Sequence, residues 1–528
     1  MPGLPALPDR TLTRAFTRVL RDHPDKIAHS DDAASYTYTA AFERSLLLGG
    51  GLAQLGVGRQ GAVALMLDNH LDIVHTWFGL NLTGAVEVPV NTAYKGTFLL
   101  HILNDSGARV LVVEDRYCDR IAFIADELTH LETVVVRGGE GSALEGTRFA
   151  RLPFDRLLAG PAATPVDVDP GELMMIMYTS GTTGLSKGVM IPHAHGYTYS
   201  SREDVARPRE HDRTLCMLPM FHLAGQGFGI YQSLIAGGYC HLTGAFSVSG
   251  FWDLVRRERI TITTMLGAMA ELLQQAVPRA DDADNPLEIA MMAPLASNLD
   301  GFRSRFAVDV VAVYGSSEIG CPLRTEPADV VAGEAGMARP GYDLRLVDAA
   351  GADVPDGTIG ELLVRPHVPH TVLEGYCNLP DRTAEYLRDG WAHTGDAFRR
   401  VDGHYFFADR LKDALRRRGE NISSFEVERV VNQHPDVYES GVVGVPSELT
   451  EDDVKAVIVL REGAPGDPEE IVRFLADRLP YFMVPRYLEF VPELPKTPTA
   501  KVQKVLLRES GTAAAWDREA AGIVLTRS

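Results

Sequence analysis

Short apolar runs alternate along the first half of the chain with segments whose apolar positions recur every three or four residues. Residues 61–67 read as a buried strand, 72–82 as a helix and 85–90 as the next strand, and the apolar runs at 110–113 and 133–136 repeat the theme. Strands apolar on both faces and separated by helices of this length predict βαβ units and a largely parallel sheet. A second series follows, with strands at 173–178, 261–265 and 308–314. The first and last of these run into Gly-rich or polar loops, and open α/β sheets hold their ligands at such carboxyl ends. Beyond about residue 408 the texture changes. Residues 409–419 are densely charged. An amphipathic helix (424–433), strands (441–445 and 456–460), a helix (469–479) and a strand (487–491) then predict a compact α+β domain of roughly 100 residues. From about Ser510 the Ala-, Arg- and Glu-rich stretch predicts a frayed tail.

Composition narrows the class. A chain of 528 residues, 45% hydrophobic and 23% charged, is neither disordered nor a disulfide scaffold, and its length calls for at least two domains. The net charge of −20 argues against a nucleic-acid partner. A polyanionic substrate would have to be met by local cations or a metal. Cys118, Cys216, Cys240, Cys321 and Cys377 are odd in number and form no CxxC pair, which fits a reduced, cytoplasmic protein. Three prolines and an aspartate among residues 1–10 leave no room for a signal peptide. No apolar run reaches the roughly 18 residues of a membrane span.

Residues 178–188, Tyr-Thr-Ser-Gly-Thr-Thr-Gly-Leu-Ser-Lys-Gly, carry the strongest chemical signal. Glycines let a backbone approach phosphate oxygens, N–H groups and hydroxyls bond them, and Lys187 adds a point charge. A Walker-type loop needs Gly-Lys-Ser/Thr, whereas here two residues separate Gly184 from Lys187 and Gly188 follows the lysine. Taken alone, the segment also suits a plain Ser/Thr/Gly-rich loop.

Four more segments give the loop its context: Tyr314-Gly315-Ser316-Ser317-Glu318, Thr394-Gly395-Asp396, Asp409-Arg410-Leu411-Lys412-Asp413 ahead of Gly419-Glu420-Asn421-Ile422, and Pro495-Lys496-Thr497-Pro498-Thr499-Ala500-Lys501. In this order and spacing the chain resembles the adenylate-forming superfamily over nearly its whole length, most of all the carnitine/crotonobetaine-CoA-ligase-like branch of the acyl-CoA synthetases. The resemblance implies a large N-terminal α/β domain with parallel-rich sheets over 1–409, a hinge at 410–412, a small mobile α+β domain over 413–510 and a tail over 511–528. It also implies a reaction in two steps: a carboxylate attacks the α-phosphate of ATP, and a thiol, that of CoA, then displaces AMP.

The same resemblance implies roles for individual residues. Thr179, Ser180, Gly181, Thr182, Thr183 and Lys187 would surround the departing phosphates. Glu318 would hold Mg²⁺, and Tyr314 with Gly315, Ser316 and Ser317 would lie at the nucleotide, Tyr314 against adenine. Ala293 and Pro294 match the adenine-side loop, and Asp396 would take the ribose hydroxyls with help from Arg410. Lys501 would be the adenylation lysine and Lys412 the hinge. Gly419 would line the pantetheine channel, with Arg416, Arg417 and Arg418 as candidates for the CoA phosphates. His222 would gate or orient the carboxylate, and Gly225, Gly227, Gly229, Met265, Gly267 and Met269 would shape an apolar acyl tunnel; ordinary core packing is as good a reading of each methionine. Lys496 and Lys504 read as solvated surface charges, and His193 and His195 form no metal pattern.

Departures from the common family residues are Ser186, Met292, Ser317, Ala338, Pro366, Asp409 and Ala500. Met292 and Ala500 matter most, since side chains crowding nucleotide and carboxylate displace reacting groups. The leading expectation is an acyl-CoA ligase for a bulky or long hydrophobic acid. The alternatives are an enzyme making only the thioester from a preformed acyl adenylate, a stand-alone adenylation enzyme and a non-catalytic acyl- and nucleotide-binding protein. Against stand-alone adenylation in peptide synthesis, no carrier motif follows Lys501. A homodimer is left open.

Overall fold

The computed structural model describes residues 4–179, 186–201, 209–410, 415–417, 420–422, 424–447, 452–479, 481, 483–497, 502–523 and 525, with backbone only at 410, 416, 417, 420, 421 and 426. The chain divides into two compact units. The first comprises Met1–Asp343 and Val364–Ala392, the second Leu344–Leu363 and His393–Ser528.

The first unit contains two sheets. In one, the strands Ala62–Met66, Val86–Pro89, Val110–Glu114, Thr133–Arg137 and Ala150–Pro153 run parallel, joined on the other side by the parallel strand Leu173–Thr179 and then the antiparallel strand Lys187–Pro192. In the other, Ile27–Ser30, Tyr239–Leu242, Arg213–Cys216, Ile262–Met265, Ile289–Met292 and Asp309–Ser316 are parallel neighbours, with antiparallel strands at both ends. The strands expected at 61–67, 85–90, 110–113, 133–136, 173–178, 261–265 and 308–314 all form, within a few residues of those bounds.

Side-chain alternation along the strands sorts the core into layers. Val63 and Leu65 enter a central cluster that also holds residues of the other sheet, such as Cys216, Ile262 and Val311, and the helix Leu71–Leu82. That helix is buried nearly all round, Trp77 included, so its period is masked by uniform apolarity. Ala64 and Met66 face an outer cluster beneath the helices Gly96–Asp105 and Cys118–Phe123. Met265, Ala290 and Met292 face the matching outer cluster of the other sheet, with Phe302 and Phe306.

The strands Ile359–Pro366, Trp391–Val401 and His404–Arg410 lie side by side, most of their residues in the second unit. A hairpin, Leu415–Arg417 with Glu420–Ile422, was not foreseen in the charged 409–419 stretch. A four-stranded sheet, Val437–Pro446, Asp452–Leu460, Tyr487–Phe490 and Trp516–Asp517, packs with the helices Ser424–Val431 and Pro468–Ala476. The expected frayed tail therefore supplies a strand. Arg486 fastens it through ion pairs to Asp517 at 3.0 Å and to Asp453 at 2.9 Å. Among the described residues no helix is long and apolar enough to cross a membrane.

Candidate active site

The Gly-rich loop connects a hairpin. Thr179 ends one strand, Lys187 begins the next, and the two are partners across the antiparallel ladder. The strand Leu173–Thr179 runs parallel to its other neighbour, so the loop leaves from the carboxyl edge of the sheet. Ser180, Gly181, Thr182 and Thr183 lie outside the described residues. Ser186 is buried, and its carbonyl accepts from His101 Nε2 at 2.8 Å. A Cβ at Gly188 would come within 2.9 Å of Ile176 and 3.0 Å of Tyr178, so the hairpin closes only on glycine. The Tyr178 hydroxyl donates to Asp105 at 2.7 Å, and burial with this carboxylate holds the phenol well above its ordinary pKa.

Residues 314–318 form a second strand end in the same unit. Ser316 and Gly320 pair across a tight turn between antiparallel strands, and a Cβ on Gly315 would lie 2.1 Å from the Gly320 carbonyl oxygen. Glu318 projects from this turn, half-buried. Its N–H donates to Ser316 Oγ at 3.2 Å, its carbonyl accepts from Leu373 N–H at 2.8 Å, and its Oε1 accepts from the Tyr376 hydroxyl at 3.2 Å. The Lys187 ammonium lies 4.0 Å from the centre of the Tyr376 ring. One tyrosine thus touches both the lysine of the first loop and the carboxylate of the second. The sequence reading passed over Tyr376, since nothing in Gly375-Tyr376-Cys377 marks it; only the pairing of Tyr376 with Val189 brings it there.

Ala293 and Pro294 follow the strand Ile289–Met292, Ala293 half-buried and Pro294 exposed. Met292 does not crowd this edge: its side chain is buried in the outer core with Phe302 and Phe306. Met265, in the adjacent strand, occupies the same core.

A third group surrounds His222, which begins a helical stretch: its carbonyl accepts from Gln226 N–H at 3.2 Å, and its ring leans on Phe221, half-buried. Residues Gln226–Tyr231 then wind as a π-helix, a geometry frequent at functional sites. The glycines here face packed atoms. A Cβ on Gly225 would meet the Pro219 carbonyl oxygen at 2.2 Å, on Gly227 the Tyr199 ring at 2.6 Å, and on Gly229 Cys216 Sγ at 2.5 Å. Gly267 is similarly closed by Pro294 O at 2.8 Å. Beneath them, Gln226 Nε2 donates to both oxygens of Glu87, at 3.0 and 3.1 Å, and to Met220 O at 2.8 Å. Glu87 is fully buried in the other sheet, and burial drives its pKa well above the usual carboxylate value. This carboxyl–amide strut ties the His222 segment across the central layer, and no sequence pattern announced it. His193 and His195 are fully buried, and burial lowers them to about 4 and about 3.

In the second unit, Asp396 is buried and stands directly opposite Arg410 in the ladder. The chain turns sharply ahead of it: Gly395 has φ +68°, its N–H donates to Glu361 at 3.0 Å, and the Asp396 N–H donates to Thr394 Oγ1 at 3.1 Å. Arg416 and Arg417 lie on the hairpin strand. Lys412, Arg418, Gly419 and Lys501 fall outside the described residues, as does Ala500. Asp409 has a structural reason. Its Oδ2 accepts from Ser424 N–H at 2.8 Å and Ser424 Oγ at 2.5 Å, which caps the helix Ser424–Val431. Lys504 is no surface charge: it donates to Ser424 Oγ at 2.5 Å and pairs with Glu428 at 2.9 Å. Lys496 pairs with Glu439 at 2.6 Å.

Comparison with known proteins identifies the family. The signature described as AMP-binding enzyme matches residues 16–377, and that of the AMP-binding enzyme C-terminal domain matches residues 426–501. The chain is 32% identical over 464 residues to a crotonobetaine/carnitine–CoA ligase of Escherichia coli O7:K1 (strain IAI39 / ExPEC), covering 85% of this chain and 88% of that one. Among solved structures it is similar to an anthranilate CoA ligase in complex with anthranoyl-AMP, with TM-score 0.86 and 27% identity over 97% of this chain and 98% of that chain. It is also similar to a benzoate CoA ligase from Burkholderia xenovorans LB400, with TM-score 0.83 and 25% identity over 94% and 99%. The chain belongs to the AMP-binding, adenylate-forming enzymes, as an ATP-binding acid–thiol ligase of the acyl-CoA synthetase type.

Proposed function

We propose that this ligase activates a bulky or long hydrophobic carboxylic acid as its acyl adenylate and passes the acyl group to the thiol of CoA. The observation that carries the reading is the linked pair of strand ends, Thr179–Lys187 and Tyr314–Glu318, joined through Tyr376 in the first unit. Adenylation brings an anionic carboxylate against a polyanion, so its barrier falls with positioned positive charge. Lys187 and the hydroxyls and N–H groups of 179–183 serve the departing phosphates. Tyr314 packs against adenine, with Gly315, Ser316 and Ser317 at the nucleotide and Ala293 and Pro294 alongside. Asp396, opposite Arg410, accepts from the ribose hydroxyls. Lys501 bridges the attacking carboxylate and the α-phosphate.

Glu318 is the residue that would hold Mg²⁺. No three metal-ligating side chains cluster among the described residues, so the site offers one half-buried carboxylate. That donor set suits an ion that keeps several waters and takes phosphate oxygens as ligands, and such an ion neutralises phosphate charge when bound.

His222 orients the acid, and the apolar helical stretch after it, with Gly225, Gly227 and Gly267, shapes the acyl side. The relatives that act on benzoate and anthranilate support a hydrophobic acid. For the thioester step the small domain turns about Lys412, Gly419 lines the thiol's path, and Arg416, Arg417 and Arg418 meet the phosphates of CoA.

Lys501→Ala tests the division of labour. It is expected to abolish pyrophosphate release from acid and ATP while sparing thioester formation from synthetic acyl adenylate. Loss of the thioester step alone would overturn the assignment. A panel of acids with AMP, pyrophosphate and acyl-CoA all quantified identifies the substrate. Brisk use of synthetic adenylates without pyrophosphate release from any acid would establish the half-reaction enzyme instead. Asp396→Ala should weaken AMP binding by roughly 1.5–3 kcal/mol, the range for a hydrogen bond to a charged group.

A further inference from the structure

The segment from Leu373 to Cys377 is a strap laid over both strand ends of the first unit. Leu373 N–H holds the Glu318 carbonyl at 2.8 Å. Glu374 N–H then donates to Met190 O at 3.0 Å and Cys377 N–H to Gly188 O at 2.7 Å, so Gly375–Tyr376 extends the sheet beside Lys187–Pro192. Tyr376 sits opposite Val189, which makes Lys187 its diagonal neighbour, within reach of an aromatic side chain. The tyrosine is itself fixed. Its N–H donates to Thr383 Oγ1 at 2.8 Å, its ring meets Tyr386 edge-on, and it is 3% exposed. From this immobile base the hydroxyl reaches Glu318 Oε1 and the ring lies under Lys187 Nζ.

We propose that Tyr376 is the positioning residue of the phosphate side. Its hydroxyl orients the Glu318 carboxylate toward the metal of the nucleotide, and its ring holds the Lys187 ammonium toward the phosphates. This rests on the reading of Glu318 and Lys187 given above. The chemistry requires a tyrosine. The hydroxyl occupies one carboxylate oxygen and so leaves the other to face the ion. The ring face attracts the ammonium while leaving its N–H groups free of the ring's own plane. One rigid side chain thereby sets two groups that come from different sheets.

The experiment uses the full chain and reads binding rather than turnover. The probe is Mn²⁺ with α,β-methylene-ATP, followed by loss of the free-ion EPR signal. Tyr376→Phe keeps the ring and removes only the hydroxyl. It is expected to weaken Mn²⁺ binding in the ternary complex about tenfold to a hundredfold, as for a lost hydrogen bond to a charged group, and to leave metal-free affinity for the analogue unchanged. In turnover the same variant should raise the KM for ATP, be relieved by excess Mg²⁺ and keep its KM for the acid. Tyr376→Leu should also lower metal-free affinity for the analogue, about twofold to fivefold, as Lys187 loses its platform. Glu318→Gln is the control. If it loses Mn²⁺ while Tyr376→Phe binds like the wild type, the Tyr376 proposal is overturned and the reading of Glu318 stands. If Glu318→Gln binds Mn²⁺ normally, the reading and the proposal fall together. Equal metal-free affinities for the Phe and Leu variants would overturn the platform role of the ring.

Discussion

The strand-end cluster around Glu318 and the helical cluster around His222 belong to the same unit and are assembled by opposite means. The first is made of side chains. A half-buried carboxylate and a half-buried ammonium are held together through a buried phenol at the carboxyl ends of two sheets. The second is made largely of missing side chains. Gly225, Gly227 and Gly229 let a buried helix lie against a carbonyl, a ring and a thiol at distances no Cβ tolerates, and a buried Glu87–Gln226 strut anchors it from below. The contrast teaches where each cluster is vulnerable. Substitution at the first should cost chemistry and spare the fold, whereas substitution at the second should cost the fold before any chemistry is measured.

The sharpest break of that contrast is at Glu318. Glu318→Ala should lower pyrophosphate release about 10²–10³-fold, the scale of removing one group that stabilises developing charge, with the melting temperature unchanged. A large drop in stability would erase the distinction. At Gly225 the opposite is expected. The obstacle to a Cβ is backbone, the Pro219 carbonyl at 2.2 Å, so Gly225→Ala should destabilise the protein by about 1–3 kcal/mol in urea unfolding. Gly227→Ala should cost less than Gly225→Ala, because the Tyr199 ring can shift, and equal costs would show the helix to be more yielding than its packing implies.

The smallest effect concerns the strut. Burial raises the folded pKa of Glu87 well above the 4.5 of an ordinary glutamate, so the native state keeps a proton that the unfolded chain has released. Stability should then fall as pH rises from about 4.5 toward the folded pKa, by up to about 1.4 kcal/mol per pH unit. Glu87→Gln removes the titration, and its amide can donate to Gln226 Oε1, which is buried with no partner among the described residues. The variant should show a flatter stability–pH curve and equal or higher stability above neutrality. A curve parallel to that of the wild type would place the pH dependence elsewhere.

Most strands and their order along the chain were legible from apolar runs, because parallel strands buried on both faces leave an unmistakable pattern. The strand-end loops were legible because glycine, hydroxyl and charge are concentrated there. Tyr376 was not, since its importance comes from a two-residue strand pairing with a segment nearly 190 positions earlier. Lys504 was misjudged for a related reason. Charge in sequence reads as surface, and only the approach of Ser424 and Glu428 turns this lysine into a part-buried partner. Met292 looked like an intruder at the nucleotide, yet strand alternation, whose phase only the neighbouring strands settle, sends it into the outer core.

What the sequence determined by itself is local and periodic. It specified the α/β texture, the loop chemistry and, through the order of five motifs, the adenylate-forming class, since each is written in residues close together along the chain. What only the tertiary structure decided is which distant groups meet. The coupling of Lys187 and Glu318 through Tyr376, the burial of Glu87 against Gln226, and the strand that Trp516–Asp517 adds beside Tyr487–Phe490 all depend on sheet register and helix packing. Those follow from the energy of filling a core, which is summed over the whole chain and is not written in any single segment.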